Sequence, residues 1–122
     1  MNKKLLIVDD SMFIYEEMKH MLADTNFEIA GYAKSGEEAI KLYEETNPDI
    51  VTLDIIMPGM DGLDTAKIIL SKWPDAKIVI VSSLAYDETM EQAKTIGACD
   101  FLFKPIGEEQ IISTLERVAN KC

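Results

Sequence analysis

Three carboxylates, one hydroxyl and one ammonium group each follow a short apolar run of the sequence. Asp9 and Asp10 follow LLIV, Asp54 follows IVTL, Ser82 follows IVIV, and Lys104 follows FLF. Clustered carboxylates cannot all stay ionised without a counter-charge, and a divalent cation could supply it. Since the set offers oxygen ligands and no histidine or cysteine, it favours Mg²⁺.

A magnesium ion beside a carboxylate, a hydroxyl and a lysine suits phosphoryl transfer. The metal and the ammonium group can neutralise the phosphoryl oxygens while a carboxylate attacks in line. We expect Asp54 to be the nucleophile, because it stands alone at the end of its run. Asp9 and Asp10 are expected to hold the ion, and Ile56 could add its main-chain carbonyl.

Each of these residues also has a simpler structural explanation. Asp10 or Ser11 could cap the first helix, and Asp54 could begin a turn. Ser82 could cap a loop, and Lys104 could be a solvated lysine. Together, however, these explanations require several independent coincidences at one edge of one sheet, so we predict a functional site.

Five short apolar runs alternate with five amphipathic patterns. The runs predict strands at 5–8, 29–33, 50–53, 78–81 and 101–103, and the patterns predict helices at 11–24, 36–46, 63–73, 87–96 and 108–120. This order predicts a single α/β domain with a parallel sheet between two layers of helices. Ligands of such sheets bind beyond the carboxyl ends of the strands, where the five polar groups fall.

Charge and composition restrict the class of protein. The chain has 122 residues, 48% of them hydrophobic, and its formal net charge is −10. This charge disfavours direct binding to nucleic acid or to an anionic membrane. No apolar run is long enough for a membrane span or a signal peptide. Cys99 and Cys122 form no CxxC and suggest no disulfide framework, so we expect a reducing, cytoplasmic setting.

Four motifs together carry a resemblance to a known family. They are LLIVDDS, PDIVTLDIIMPGMDG, IVIVSS and GACDFLFKP, in this order. The sequence resembles the receiver domain of two-component response regulators, of the single-domain CheY-like kind, over essentially all of residues 1–122. The resemblance implies a flavodoxin-like (βα)5 fold with strand order 2-1-3-4-5.

The same resemblance implies roles for the polar residues. Asp54 would be the phospho-acceptor, and Lys104 would pair with the new phosphoryl group. Asp9 and Asp10 would organise Mg²⁺ together with Asp54, and Ile56 would offer its carbonyl.

The resemblance further implies a switch. The Ser82 hydroxyl would follow the phosphoryl group, Phe101 would rotate inward, and the surface of helix 4, strand 5 and helix 5 would change its partner affinity. The bond from Lys104 to Pro105 is expected to be cis. Because Phe101 lacks a phenolic hydroxyl to hold it outward, we predict that its inward rotamer is comparatively accessible.

The implied partners are a sensor histidine kinase and a downstream effector protein. The segments VDDSMF and SSL favour chemotaxis, with the flagellar motor switch as a candidate effector. The protein is expected to be a switch rather than an enzyme, with autocatalytic phosphorylation. Self-dephosphorylation is expected to be slow, since Ile56 and Leu84 cannot orient an attacking water.

Three alternatives stay open at this point. The chain could be a receiver cut from a longer regulator with DNA-binding or enzymatic output. It could be a Mg²⁺-dependent phosphatase on a similar fold, or an interaction module with a degenerate site.

Overall fold

A computed structural model describes residues 2–84 and 87–121. The strands are β1 (Lys3–Val8), β2 (Phe27–Ala33), β3 (Ile50–Asp54), β4 (Ile78–Ser82) and β5 (Asp100–Phe103). The helices are α1 (Met12–Met21), α2 (Gly36–Thr46), α3 (Gly62–Lys72), α4 (Asp87–Ile96) and α5 (Glu108–Lys121). The strands form one parallel sheet in the order β2-β1-β3-β4-β5, which confirms the predicted fold and strand order.

The central strands are buried on both faces of the sheet. Every residue of β3 and β4 is buried, as are the last four of β1, and this explains why their sequences are mostly apolar. The polar exceptions are Thr52, Asp54 and Ser82. One face packs against α2, α3 and α4 through residues such as Tyr43 and Ile69. The other face packs against α1 and α5 through residues such as Met18 and Leu115. This packing fixes the carboxyl ends of the strands relative to one another.

Local capping signals set the start of α2 and the end of α4. The Ser35 hydroxyl accepts a hydrogen bond from the Glu38 amide at 3.2 Å, as a capping box at α2 requires. The Glu38 carboxylate, however, accepts from the Lys34 amide at 3.2 Å, one residue earlier than the motif predicts. At the end of α4, Gly97 has φ +113°, and its amide donates to the Ala93 and Lys94 carbonyls, so the helix stops there.

The first helix is shorter than the sequence predicts. The pattern at 11–24 suggested a helix to residue 24, but α1 ends at Met21. The Thr25 hydroxyl donates to the Leu22 carbonyl at 2.7 Å and closes a turn that leads into β2. This hydrogen bond competes with continuation of the helix.

Two further predictions concern the chain as a whole. None of the helices formed by residues 2–84 and 87–121 has the length and apolar character needed to span a membrane. The prediction about the cysteine pair involves Cys122, which lies outside the described residues.

Candidate metal and phosphoryl site

The carboxyl ends of β1, β3, β4 and β5 bring the predicted polar residues to one edge of the sheet. Asp9 directly follows β1, whereas Asp54 and Ser82 are the last residues of β3 and β4. Lys104 follows β5, and its amide donates to the Ser82 carbonyl at 2.9 Å. The parallel register therefore gathers residues that are up to 95 positions apart in the chain.

Three carboxylates form a compact cluster at this edge. Asp9, Asp10 and Asp54 each offer one oxygen, and these oxygens all lie within 4.8 Å of one another. Asp9 and Asp54 are buried, with 2% and 5% exposure, whereas Asp10 is exposed. Only the Asp10 carboxylate can therefore turn freely in solvent.

A role at the start of α1 explains one hydrogen bond of the Asp9 carboxylate, but it does not explain the presence of Asp10. One oxygen of Asp9 accepts a hydrogen bond from the Ser11 amide at 2.9 Å. Ser11 stands at the N-cap of α1, but its side chain makes no capping hydrogen bond to the described residues. The N-terminus of α1 thus gives no structural reason for a second acidic residue at position 10.

Lys104 is the cation of the cluster. Its ammonium nitrogen lies 2.8 Å from an Asp9 oxygen and 3.4 Å from an Asp54 oxygen. Burial lowers the pKa of Lys104, but the hydrogen bond to Asp9 and the charge of Asp54 outweigh it and raise the pKa above its ordinary value. From the sequence, Lys104 was expected to pair with an incoming phosphoryl group. Its two ion pairs with Asp9 and Asp54 were not predicted.

One ammonium group does not neutralise three carboxylates. Burial and the neighbouring charge of Asp9 raise the pKa of Asp54 to about 6, although Lys104 opposes this shift. The cluster thus has uncompensated negative charge and oxygen ligands alone, and its donor set fits a hard divalent cation such as Mg²⁺.

Ser82 and Ile56, the other two predicted site residues at these strand ends, lie in different environments. Ser82 is fully buried, and its hydroxyl oxygen accepts from the Leu84 amide at 3.1 Å, so it does cap the loop after β4. The hydroxyl proton is still available for a further acceptor. The Ile56 side chain is 56% exposed, and the metal-ligand role of its carbonyl stays a prediction.

Phe101 lies on β5. Its side chain is half-buried and packs against the part of the core that lies between the sheet and helices α2, α3 and α4. Its ring centroid is 5.0 Å from that of Phe103. The Asp100 carboxylate accepts from the Phe101 amide at 2.8 Å and pairs with Arg117 of α5. The relative accessibility of the two Phe101 rotamers stays a prediction, but the Lys104–Pro105 bond is cis as expected.

Sequence reasoning gave no role to Tyr32, which lies beside the cluster. Its ring stacks on Tyr15 of α1, with centroids 4.2 Å apart and planes inclined by 8°. The Tyr32 hydroxyl is buried and has no hydrogen-bond partner among the described residues. Burial raises its pKa, and the charges of Asp9 and Asp10 add to this effect. The one sequence feature that could have pointed to Tyr32 is its position, since it is an aromatic residue one place before the end of β2.

Comparisons with known proteins identify relatives that match almost the whole chain. The family model of the response regulator receiver domain matches residues 5–116. The chemotaxis protein CheY of Listeria monocytogenes is 43% identical over 116 residues, which cover 95% of this chain and 98% of that protein. CheY of Thermotoga maritima is 39% identical and covers 98% and 99% of the two chains.

A solved structure of a CheY protein has the same fold as this chain. The crystal structure of the CheX-CheY-BeF3-Mg complex from Borrelia burgdorferi contains a chain with a TM-score of 0.93 and 32% identity. The match covers 98% of this chain and 90% of that chain.

Proposed function

Because the chain belongs to the response regulator receiver domain family, we propose that it accepts a phosphoryl group on Asp54 from a sensor histidine kinase. Receiver domains of the CheY type are phosphoryl-accepting switches of two-component signalling. The observation that carries the assignment to Asp54 is the convergence of three carboxylates within 4.8 Å, with the Lys104 ammonium 3.4 Å from Asp54.

The proposed reaction needs an ionised Asp54. A carboxylate oxygen of Asp54 forms a bond to phosphorus, and the bond from phosphorus to the histidine nitrogen of the donor breaks. Lys104 leaves its resting contacts and stabilises the oxygens of the transferred group. When bound, Mg²⁺ supplies positive charge for those same oxygens. Asp9, Asp10, Asp54 and the Ile56 carbonyl are the ligands we propose for it.

The acyl phosphate would then act through Ser82 and Phe101. The buried Ser82 hydroxyl can donate its proton to a phosphoryl oxygen while its oxygen still accepts from Leu84. Movement of the Ser82 segment would change the space available to Phe101. A cavity of about 140 Å³ lies between α4 and β5, lined in part by Met90, Ala93 and Phe101. We propose that an inward turn of Phe101 reshapes this surface.

The surface of α4, β5 and α5 would be the one that an effector protein reads. Because the similar CheY proteins of Listeria monocytogenes and Thermotoga maritima are chemotaxis proteins, we propose an effector of the chemotaxis system, with the flagellar motor switch as the candidate. We further propose that the receiver domain occupies residues 1–122 and works in the cytoplasm. The net charge of −10 favours protein partners over direct contact with nucleic acid or membrane.

Intact-mass measurement tests the phospho-acceptor. Incubation with acetyl phosphate and Mg²⁺ should add one phosphoryl group to the wild type and none to Asp54→Asn. Asp24→Asn, which removes an exposed carboxylate at the opposite end of the sheet, should behave as the wild type. A phosphorylated Asp54→Asn chain would overturn the assignment. Release of many phosphate equivalents per chain would instead indicate a phosphatase.

The lifetime of the acyl phosphate tests the proposed slow self-dephosphorylation. Ile56 and Leu84 each follow a site residue by two positions, and neither side chain can orient a water molecule by a hydrogen bond. Ile56→Asn should shorten the lifetime, whereas Ile56→Val should not. A wild-type lifetime of only seconds would contradict the proposal.

A further inference from the structure

We propose that Tyr32 is a positioning residue for the metal site: when a divalent cation binds, the Tyr32 hydroxyl donates a hydrogen bond to the Asp10 carboxylate and holds that ligand in place. This inference rests on the proposed function, since it assumes that Asp10 binds the ion. It concerns a residue to which neither the motifs nor the family resemblance gave a role.

The Tyr32 hydroxyl is a hydrogen-bond donor that needs an acceptor. The Tyr32 hydroxyl is buried but has no hydrogen-bond partner among residues 2–84 and 87–121. A buried donor without an acceptor is energetically unfavourable, and most native structures avoid it. A partner that is engaged only when the site is loaded explains why the hydroxyl is kept.

Contacts with β1 and α1 fix the position of Tyr32. Tyr32 pairs in register with Ile7 on β1, and the next residue, Ala33, accepts a hydrogen bond from the Asp9 amide at 3.0 Å. On its other side the ring stacks on Tyr15, in the first turn of α1. The two contacts place Tyr32 beside the segment between β1 and α1, which contains Asp10.

Three carboxylates near Tyr32 are candidate acceptors for its hydroxyl. Asp9, Asp10 and Glu38 all lie close enough to act electrostatically on the Tyr32 phenol. Both Asp9 oxygens are already engaged, by the Ser11 amide and by Lys104. Glu38 accepts from the Lys34 amide. The Asp10 carboxylate makes no hydrogen bond or ion pair within the described part of the chain, so of the three carboxylates it has the most acceptor capacity left.

Exposure explains why such a hydrogen bond would matter. Asp10 is the one exposed member of the carboxylate cluster, so ordering its side chain opposes metal binding. One Asp10 oxygen contributes to the cluster, and the other can accept from Tyr32. Hydrogen bonds of this kind to a metal ligand typically change metal affinity by about 10- to 100-fold.

The test is a calorimetric Mg²⁺ titration of the wild type, Tyr32→Phe and Tyr15→Phe. Tyr32→Phe keeps the stacked ring and should weaken Mg²⁺ binding about tenfold. Its metal-free melting temperature should equal or exceed that of the wild type, because an unsatisfied buried hydroxyl is removed. Tyr15→Phe is the matched control and should bind Mg²⁺ as the wild type does.

Each result has a separate meaning. Equal Mg²⁺ affinity in the wild type and Tyr32→Phe would overturn the role of Tyr32 alone, whereas a wild type that binds no Mg²⁺ would overturn the proposed function. An equal loss in Glu38→Met, which removes the acceptor oxygens at that position, would assign the hydrogen bond to Glu38 and refute Asp10 as acceptor. As a second readout, Mg²⁺ should perturb tyrosine ultraviolet absorption in Tyr15→Phe but not in Tyr32→Phe, and no perturbation in either would contradict the proposal.

Discussion

At the scale of single residues, Asp54 combines a catalytic demand with a cost in stability. The proposed reaction needs its ionised carboxylate, but burial and the charge of Asp9 raise its pKa to about 6. The folded state therefore binds this proton more tightly than the unfolded state does. The resulting stability is fully present below about pH 4 and is lost as the pH rises through 6.

This shift predicts a pH-dependent effect of Asp54→Asn without metal. The amide stays neutral at every pH, so the variant should gain stability over the wild type between pH 4 and 7, by about 2 kcal/mol. Urea unfolding in the presence of a chelator measures the difference. Asp24→Asn, at an exposed position, controls for the loss of one negative charge. A difference that does not change with pH would disprove the explanation.

Thr52, two residues before Asp54, gives a second prediction at this scale. Thr52 is 2% exposed, and its hydroxyl has no hydrogen-bond partner among the described residues. Thr52→Val should therefore raise the free energy of unfolding by about 1 kcal/mol. Thr65→Val is the matched control, since the buried Thr65 hydroxyl donates to the Asp61 carbonyl at 2.8 Å, and its loss should destabilise the fold. A less stable Thr52→Val variant would show that the hydroxyl is satisfied.

At the scale of elements, the junction of β3 and α3 holds Asp54 in place. The Gly62 amide donates to the Ile55 carbonyl at 2.8 Å, and a Cβ atom at position 62 would lie 2.0 Å from the Asp54 carbonyl oxygen. Backbone cannot yield as a flexible side chain can. The first residue of α3 must therefore be glycine for the chain to pass this close to the site.

Gly62→Ala should consequently impair both folding and phosphorylation. We expect a loss of about 3 kcal/mol in the free energy of unfolding, measured by urea, and slower phosphorylation in the remaining folded protein. Gly107→Ala is the control, because a Cβ atom there meets no side-chain or backbone atom closer than 3.8 Å. If Gly62→Ala is as stable as Gly107→Ala, the close approach does not constrain the junction.

The elements explain what the sequence could and could not predict. Alternating strands and helices fix a parallel sheet, so the convergence of Asp9, Asp54 and Lys104 at one edge followed from the order of elements. The end of α1 did not follow, because local hydrogen bonds after Met21, including one from the Thr25 hydroxyl, close a turn that the apolar pattern does not reveal. The resting ion pairs of Lys104 and the buried Tyr32 hydroxyl depend on rotamers and tertiary packing, which apolar periodicity does not encode.

At the scale of the whole molecule, two effects of Mg²⁺ on stability must be separated. The net charge of −10 creates general repulsion that any salt screens. The cluster of Asp9, Asp10 and Asp54 has more negative charge than Lys104 neutralises, and a bound divalent cation relieves this local excess. Screening depends on ionic strength and affects all charge variants alike. Binding depends on the ligands and saturates.

Mg²⁺ should therefore stabilise the wild type well beyond NaCl of matched ionic strength, by about 2.7 kcal/mol at 100 times the dissociation constant. Asp10→Asn should lose most of this gain yet melt normally without metal, because residue 10 is exposed. Asp24→Asn should keep the full gain. Thermal melts of the three proteins across a Mg²⁺ series make the measurement. Equal stabilisation of Asp10→Asn and Asp24→Asn would mean that Mg²⁺ acts on the total charge and that the carboxylate cluster is no metal site.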